Sequence, residues 1–222
     1  MKNIFQKLMG LLLLVVVSIV IAQIEMSSGI ALAFALPIGF ANLTWPSGSE
    51  NMGGYKNKLL FIPADAVTAV PEIVNTEALA AEDLVTAAGA FTFKDTGDKP
   101  IFIYATKNTV SYNSENQGEV DGQSFLQTLE WIHPGSSAEA GAFARKVNNT
   151  PGYLIYEDAK GIQYMVGQSG MPCSIKPAFA GGASPTDRKG TTFTAEADSF
   201  CPYIILGTPI DMDKIENPVV AP

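Results

Sequence analysis

The residues whose types could do chemistry are few, and no group of them completes a reaction centre. His133 is the only histidine in the chain. General-base catalysis and metal binding both need partners that a single histidine does not supply. It stands directly before Pro134-Gly135, the setting of a loop residue. Gly167-Gln168-Ser169-Gly170 has the beginning of a nucleophile elbow, but Met171 occupies the place where G-x-S-x-G needs its last glycine. Gly181-Gly182 is followed by no Gly-Lys-Ser/Thr, so no phosphate cradle is expected. Glu119 and Asp121 are a carboxylate pair of the kind used in glycoside hydrolysis or calcium binding. They lack the acidic spacing of a calcium loop, and alternate residues on one strand also describe a plain solvated face. Cys173 and Cys201 are the two cysteines. They form one bridge if the chain is exported, or stay as two buried thiols. The sequons at Asn42 and Asn148 carry weight only in a eukaryotic secretory pathway. No catalytic, metal or cofactor site is expected, and the chain reads as a non-enzyme.

Composition narrows the class further. In 222 residues there are 20 glycines and 14 prolines, and only 16% of residues are charged. That suits a turn-rich β protein of one domain with additions. The formal net charge of −8 argues against holding DNA or RNA through neutralised phosphates. It suits a surface that nucleic acid must pass without adhering, because like charges repel.

The elements follow from periodicity and turn chemistry. Residues 1–25 contain Lys2 and Lys7, an uncharged run from Leu8 to Ile24, and small residues near a cleavage point after Ala22. This is a signal peptide, a short membrane anchor acting through residues 8–24, or a misassigned start with Met26 as the true one. Residues 26–52 form an apolar arm broken by Gly29, Pro37, Gly39 and Pro46; it packs on the core or on a neighbouring subunit. A β domain is expected over 53–210. Its strands include Tyr55–Pro63, Ala90–Phe93, Ile101–Tyr104, Ser124–His133 and the hairpin Tyr153–Val166. Apolar residues on both faces of Ser124–His133 predict a strand buried on both sides, or one covered by a neighbour. The stretch Ala64–Ala88 reads as a short helix or an extended loop. In Thr191–Asp198, Phe193, Ala195 and Ala197 should point inward. One helix is expected over about 136–149, with a capping box from Ser136 to Glu139 and Arg145 and Lys146 in its last turn. Residues 211–222 read as a flexible tail. The sum is a mainly β (α+β) chain: a β-sandwich or open barrel of about eight short strands flanked by one helix.

The order of Gly118, Asp121-Gly122, Ser124-Phe125, Leu129-Glu130-Trp131-Ile132-His133-Pro134-Gly135, Phe143, Asn148-Asn149 and Gly161 resembles that of tail-tube-like virion proteins of phages infecting Bacteroidota. Gly53-Gly54-Tyr55-Lys56, Asp187-Arg188-Lys189-Gly190 and Asp198-Ser199-Phe200-Cys201-Pro202 extend the likeness, which covers about residues 51–207. The resemblance implies a β-sandwich flanked by a helix. It also implies assembly with copies of itself into rings stacked as a hollow tube for DNA, contacts with other virion proteins, and assembly in the host cytoplasm. Tail proteins of that kind have no use for Met1–Ile24. Either Met26 is the start, or this is a relative used at a membrane or outside the cell. The alternative reading is an exported β-sandwich surface protein, cleaved near Ala22, that binds a partner or carbohydrate or forms an extracellular filament.

Overall fold

The computed structural model describes residues 51–73 and 81–216, with Leu43, Trp45 and residues 47–49 before them. The described residues all belong to one compact unit, Asn42–Pro222. The expectations for residues 1–25, for most of 26–52 and for 217–222 lie outside the described residues. The strands are β1 (Tyr55–Pro63), β2 (Val67–Ala69), β3 (Glu72–Ile73), β4 (Thr86–Ala88), β5 (Thr92–Phe93), β6 (Ile101–Tyr104), β7 (Ser111–Gln117) and β8 (Ser124–Pro134). After helix α1 (Ala138–Val147) come β9 (Gly152–Asp158), β10 (Gln163–Val166), β11 (Ser174–Ala180), β12 (Gly190–Ser199) and β13 (Ile204–Leu206), then the short helix α2 (Met212–Glu216).

The fold is mainly β with one principal helix. A seven-stranded sheet in the order β3-β4-β13-β10-β9-β1-β6 lies across a four-stranded sheet in the order β11-β12-β8-β7, and β2 pairs with β5 as a small third sheet. The two large sheets cross steeply. Gly152, at the start of β9, pairs with Cys173 beside β11, whereas Tyr156 four residues on stacks on Tyr112 of β7. β9 therefore traverses the whole four-stranded sheet, as in orthogonal packing.

Which strands are covered on both faces follows from this layering. In β1, Leu59 and Phe61 pack between the two large sheets, while Leu60 and Ile62 pack on the other side. In β9, Leu154 and Tyr156 face the first cluster, and Tyr153 and Ile155 the second. The second cluster is closed by Phe91 and Phe93, by Ile210, and by Met212 and Ile215 of α2. Uninterrupted apolar runs such as Leu59–Ile62 are what a middle layer requires. β8 is fully buried on one face only among the described residues. Gln127, Leu129 and Trp131 are buried, but Leu126, Thr128 and Ile132 are only half-buried and Glu130 is exposed. Within the described residues its second face has no cover.

Two further expectations are corrected. Ala64–Ala88 holds no α-helix among its described residues. Instead, 3-10 turns at Ala64–Ala66 and Ala81–Leu84 alternate with β2, β3 and β4, whose backbone groups are taken up by the third sheet and by the edge of the seven-stranded one. Residues 211–216 are no loose tail. Met212 is buried, Lys58 bonds Asp213 at 2.6 Å, and the Gln163 side chain both donates to the Ile210 carbonyl and accepts from its N–H.

Helix α1 begins one residue later than its capping motif suggests. Ser137, not Ser136, is the N-cap, and its hydroxyl accepts from the Ala140 N–H at 3.2 Å. Glu139 is held below the usual carboxylate range by its own backbone N–H and then by the Ser137 hydroxyl. Ser137→Ala should lower stability by about 1 kcal/mol in urea unfolding, while Ser136→Ala should leave the midpoint unchanged. Equal effects from the two would contradict this cap.

Between the sheets, Trp131 stacks on Phe193 with ring centroids 5.2 Å apart and planes 9° apart, and Phe143 of α1 sets its edge against both Phe193 and Phe61. Toward the β7 side the core is built of tyrosines. Tyr156 stacks on Tyr112 and on Tyr164, each at 5.3 Å, with Tyr55 edge-on at 5.1 Å. Burial raises the phenol pKa of Tyr112 and Tyr156. In Tyr164, burial and then Asp158 push it up to about 12. The native state thus favours the neutral phenol more than the unfolded chain does, since the latter ionises near pH 10. This stabilisation is complete below pH 10 and is lost as pH rises toward 12. We expect the unfolding midpoint to fall over that window, with phenolate absorbance lagging behind that of free tyrosine. Coincidence with the free-tyrosine curve in the folded chain would refute it.

Candidate functional site

The residues singled out for chemistry are scattered by the fold. His133 lies at the end of β8, where its Nδ1 donates to the Tyr104 carbonyl at 2.9 Å. Beside it the Thr106 N–H donates to the Ile132 carbonyl at 2.7 Å. Together these tie the edge of β6 to the four-stranded sheet, so the histidine is a strut. Gln168 and Met171 exchange both backbone hydrogen bonds at 2.9 Å, which makes Gly167–Met171 a tight turn with no nucleophile elbow. Gly181-Gly182 opens a loop closed by the Asp187 carboxylate, which accepts from the Ala183 and Ser184 N–H groups at 2.8 Å. These bonds hold the Asp187 pKa below the usual range. Glu119 and Asp121 do not alternate on a strand. They lie in the turn between β7 and β8, which is closed by the Gly122 N–H on the Glu119 carbonyl at 3.0 Å. Among the described residues no three histidine, cysteine or carboxylate side chains gather as metal ligands. No helix among them is long and apolar enough to cross a membrane.

Cys173 and Cys201 are free thiols in separate clusters. Burial raises the Cys173 thiol pKa to about 12, and the Cys201 Sγ donates to the Leu84 carbonyl at 3.1 Å. Neither has the exposed, electropositive surroundings of a reactive thiolate. Alkylation without reductant should therefore label neither residue in the native chain and both after denaturation. Absence of label after denaturation would reveal a bridge.

What the fold does assemble is a surface. The outer face of the four-stranded sheet carries alternate residues of β7, β8, β11 and β12. Across it, Glu130 lies opposite Ser111 and Thr194, and Leu126 lies opposite Glu115 and Asp198. Four carboxylates (Glu115, Glu130, Glu196 and Asp198) stand on this face against one cation, Lys176, which is bonded to Glu196. Gln117 donates to Asp198 at 2.6 Å, crossing over β8 and fixing the carboxylate in place. The face is polar and acidic, with half-buried Leu126 and Ile132 within it.

The two edges of that sheet differ. On the β7 side no strand among the described residues covers the edge. At its end the β7–β8 turn raises Val120, 83% exposed, between Glu119 and Asp121. On the β11 side, α1 runs alongside and leaves a groove of about 690 Å³ between helix and strand. Ala140, Gly141 and Ala144 form its helical wall, Arg145 and Asn148 lie farther along the helix, and Pro177 and Phe179 line the strand side. Phe179 is 59% exposed. Small side chains on one face of α1 keep the helix close to the strand while leaving this trough. Sequence periodicity singles out neither Val120 nor Phe179. The only signal in the sequence is an apolar residue isolated among polar ones, which is common on surfaces and points nowhere by itself.

No family model, curated protein or solved structure matches this chain.

Proposed function

We propose that this chain is a non-enzymatic structural subunit that assembles with copies of itself into rings stacked as a hollow tube, a phage tail tube through which DNA passes. The observation that carries the reading is the outer face of the four-stranded sheet. It is broad and regular, has four carboxylates against one lysine, and lies between two unlike edges. Facing inward in a ring, such a surface repels phosphates and lets DNA slide without adhesion. Unlike edges on one sheet suit heterologous contacts, which close into rings when the rotation permits.

Negative-stain microscopy of the full chain, with intact mass of the native product, tests the proposal. Uniform rings or tubes support it. A native mass beginning near Met26 then favours the tail tube and makes Met26 the true start. Tubes built from chains cleaved near Ala22 make it an extracellular filament of the same fold. A stable monomer at every concentration overturns it in favour of an exported binding module.

A further inference from the structure

The turn between β7 and β8 and the groove between α1 and β11 lie on opposite edges of one sheet, and their chemistry is complementary. The turn is a small projection with a constrained backbone. Asp121 sits at φ 71° and Gly118 at φ 101°, and a Cβ on Gly118 would stand 2.3 Å from the Gly122 carbonyl oxygen. The backbone here is therefore tightly determined, and it presents one exposed apolar side chain, Val120, flanked by the carboxylates of Glu119 and Asp121. Among the described residues neither carboxylate has an ion-pair partner.

The groove is the counterpart. Phe179 and Pro177 give it an apolar strand-side wall, and Arg145 projects from the last turn of α1 at its rim. Arg145 has no hydrogen-bond or ion-pair partner among the described residues. Lys146 beside it, and Arg188 and Lys189 in the neighbouring loop, are exposed. In a chain of net charge −8 this edge is locally basic, while the β7 edge is locally acidic.

We infer that the occupant of the α1–β11 groove is a second copy of this chain, which inserts its Glu119-Val120-Asp121 turn so that Val120 meets Phe179 and the two carboxylates meet Arg145. The contact is heterologous: each copy offers the turn on one edge and the groove on the other, so it propagates from copy to copy. Val120 and Phe179 supply the desolvated centre, and the charges around them set partner and register. This inference rests on the self-assembly reading and specifies which surfaces join.

Sedimentation or mass photometry of the full chain across a dilution series tests it. Arg145→Glu alone, and Glu119→Lys with Asp121→Asn alone (asparagine tolerates the left-handed backbone at φ 71°), should each weaken association by about tenfold or more, because each places like charges face to face. The chain carrying all three changes should assemble again near the wild-type concentration. Phe179→Ser, which alters no charge, should weaken association in parallel, with unchanged circular dichroism confirming the fold. If the wild type assembles and the charge reversals leave it unaffected, or if the triple variant fails to recover, the inference falls while the self-assembly reading stands. If the wild type never associates, both fall.

Discussion

Trp131→Ala should lower the free energy of unfolding by about 3–5 kcal/mol, the largest effect expected of any single truncation among the described residues. Trp131 is fully buried, lies flat on Phe193, and belongs to the cluster that joins β1, β8, β12 and α1. Removing it leaves a void that the two sheets cannot close without shifting. Trp131→Phe should be far milder, under about 1.5 kcal/mol, because a ring remains on Phe193. The indole Nε1–H it removes has no hydrogen-bond acceptor among the described residues, so no bond is lost with it. Urea unfolding at constant m-value separates the two variants. A shift below about 1 kcal/mol for the alanine variant would show that this stack is not the centre of the core.

Gly152→Ala should be comparably damaging for the opposite reason. At the start of β9 an added Cβ would lie 2.4 Å from the Phe61 ring and 2.5 Å from the Ile62 carbonyl oxygen. The Gly152 backbone also bonds Cys173 in both directions, at 3.1 and 2.8 Å, so it cannot retreat. Overpacking against a backbone oxygen costs about 3 kcal/mol, at the upper end of its usual range. Gly141→Ala is the control. It lies inside α1 with nothing within 4 Å of an added Cβ, and should raise stability by about 0.5–1 kcal/mol. If both glycine variants moved the thermal midpoint the same way, the close approach at Gly152 would be wrong.

Much of the local structure is legible in the amino-acid sequence. The hairpin of β9 and β10 follows from two apolar runs around Glu157–Gly161, and the Asp158 carboxylate closes it by accepting from the Lys160 and Ile162 N–H groups. The alternation in β12 predicts Phe193, Ala195 and Ala197 inward, and all three are buried. The helix, with Arg145 and Lys146 in its last turn, is displaced by only one residue at its cap. β7 is hidden in the sequence because Ser111–Gln117 carries almost no apolar pattern. It is held by its ladder to β8 and by Tyr112, which packs into the tyrosine cluster and bonds the Pro202 carbonyl at 2.5 Å.

Short-range rules act on neighbours in the chain, so composition, periodicity and turn residues by themselves determined a β-rich chain with one helix, an acidic balance and no reaction centre recognisable from a motif. They could not say which strand would be covered on both faces, because that depends on which sheet lies between two others. The choice fell on β1 and β9 and, among the described residues, left the second face of β8 open. Nor could they bring Val120 and Phe179 to opposite edges of one sheet, or set Arg145 and Pro177 along one groove. Those relations join residues dozens of positions apart and exist only once burial has decided how the layers stack. The acidic face belongs to both levels: its carboxylates are countable in the sequence, but only four strands in register put them on one side.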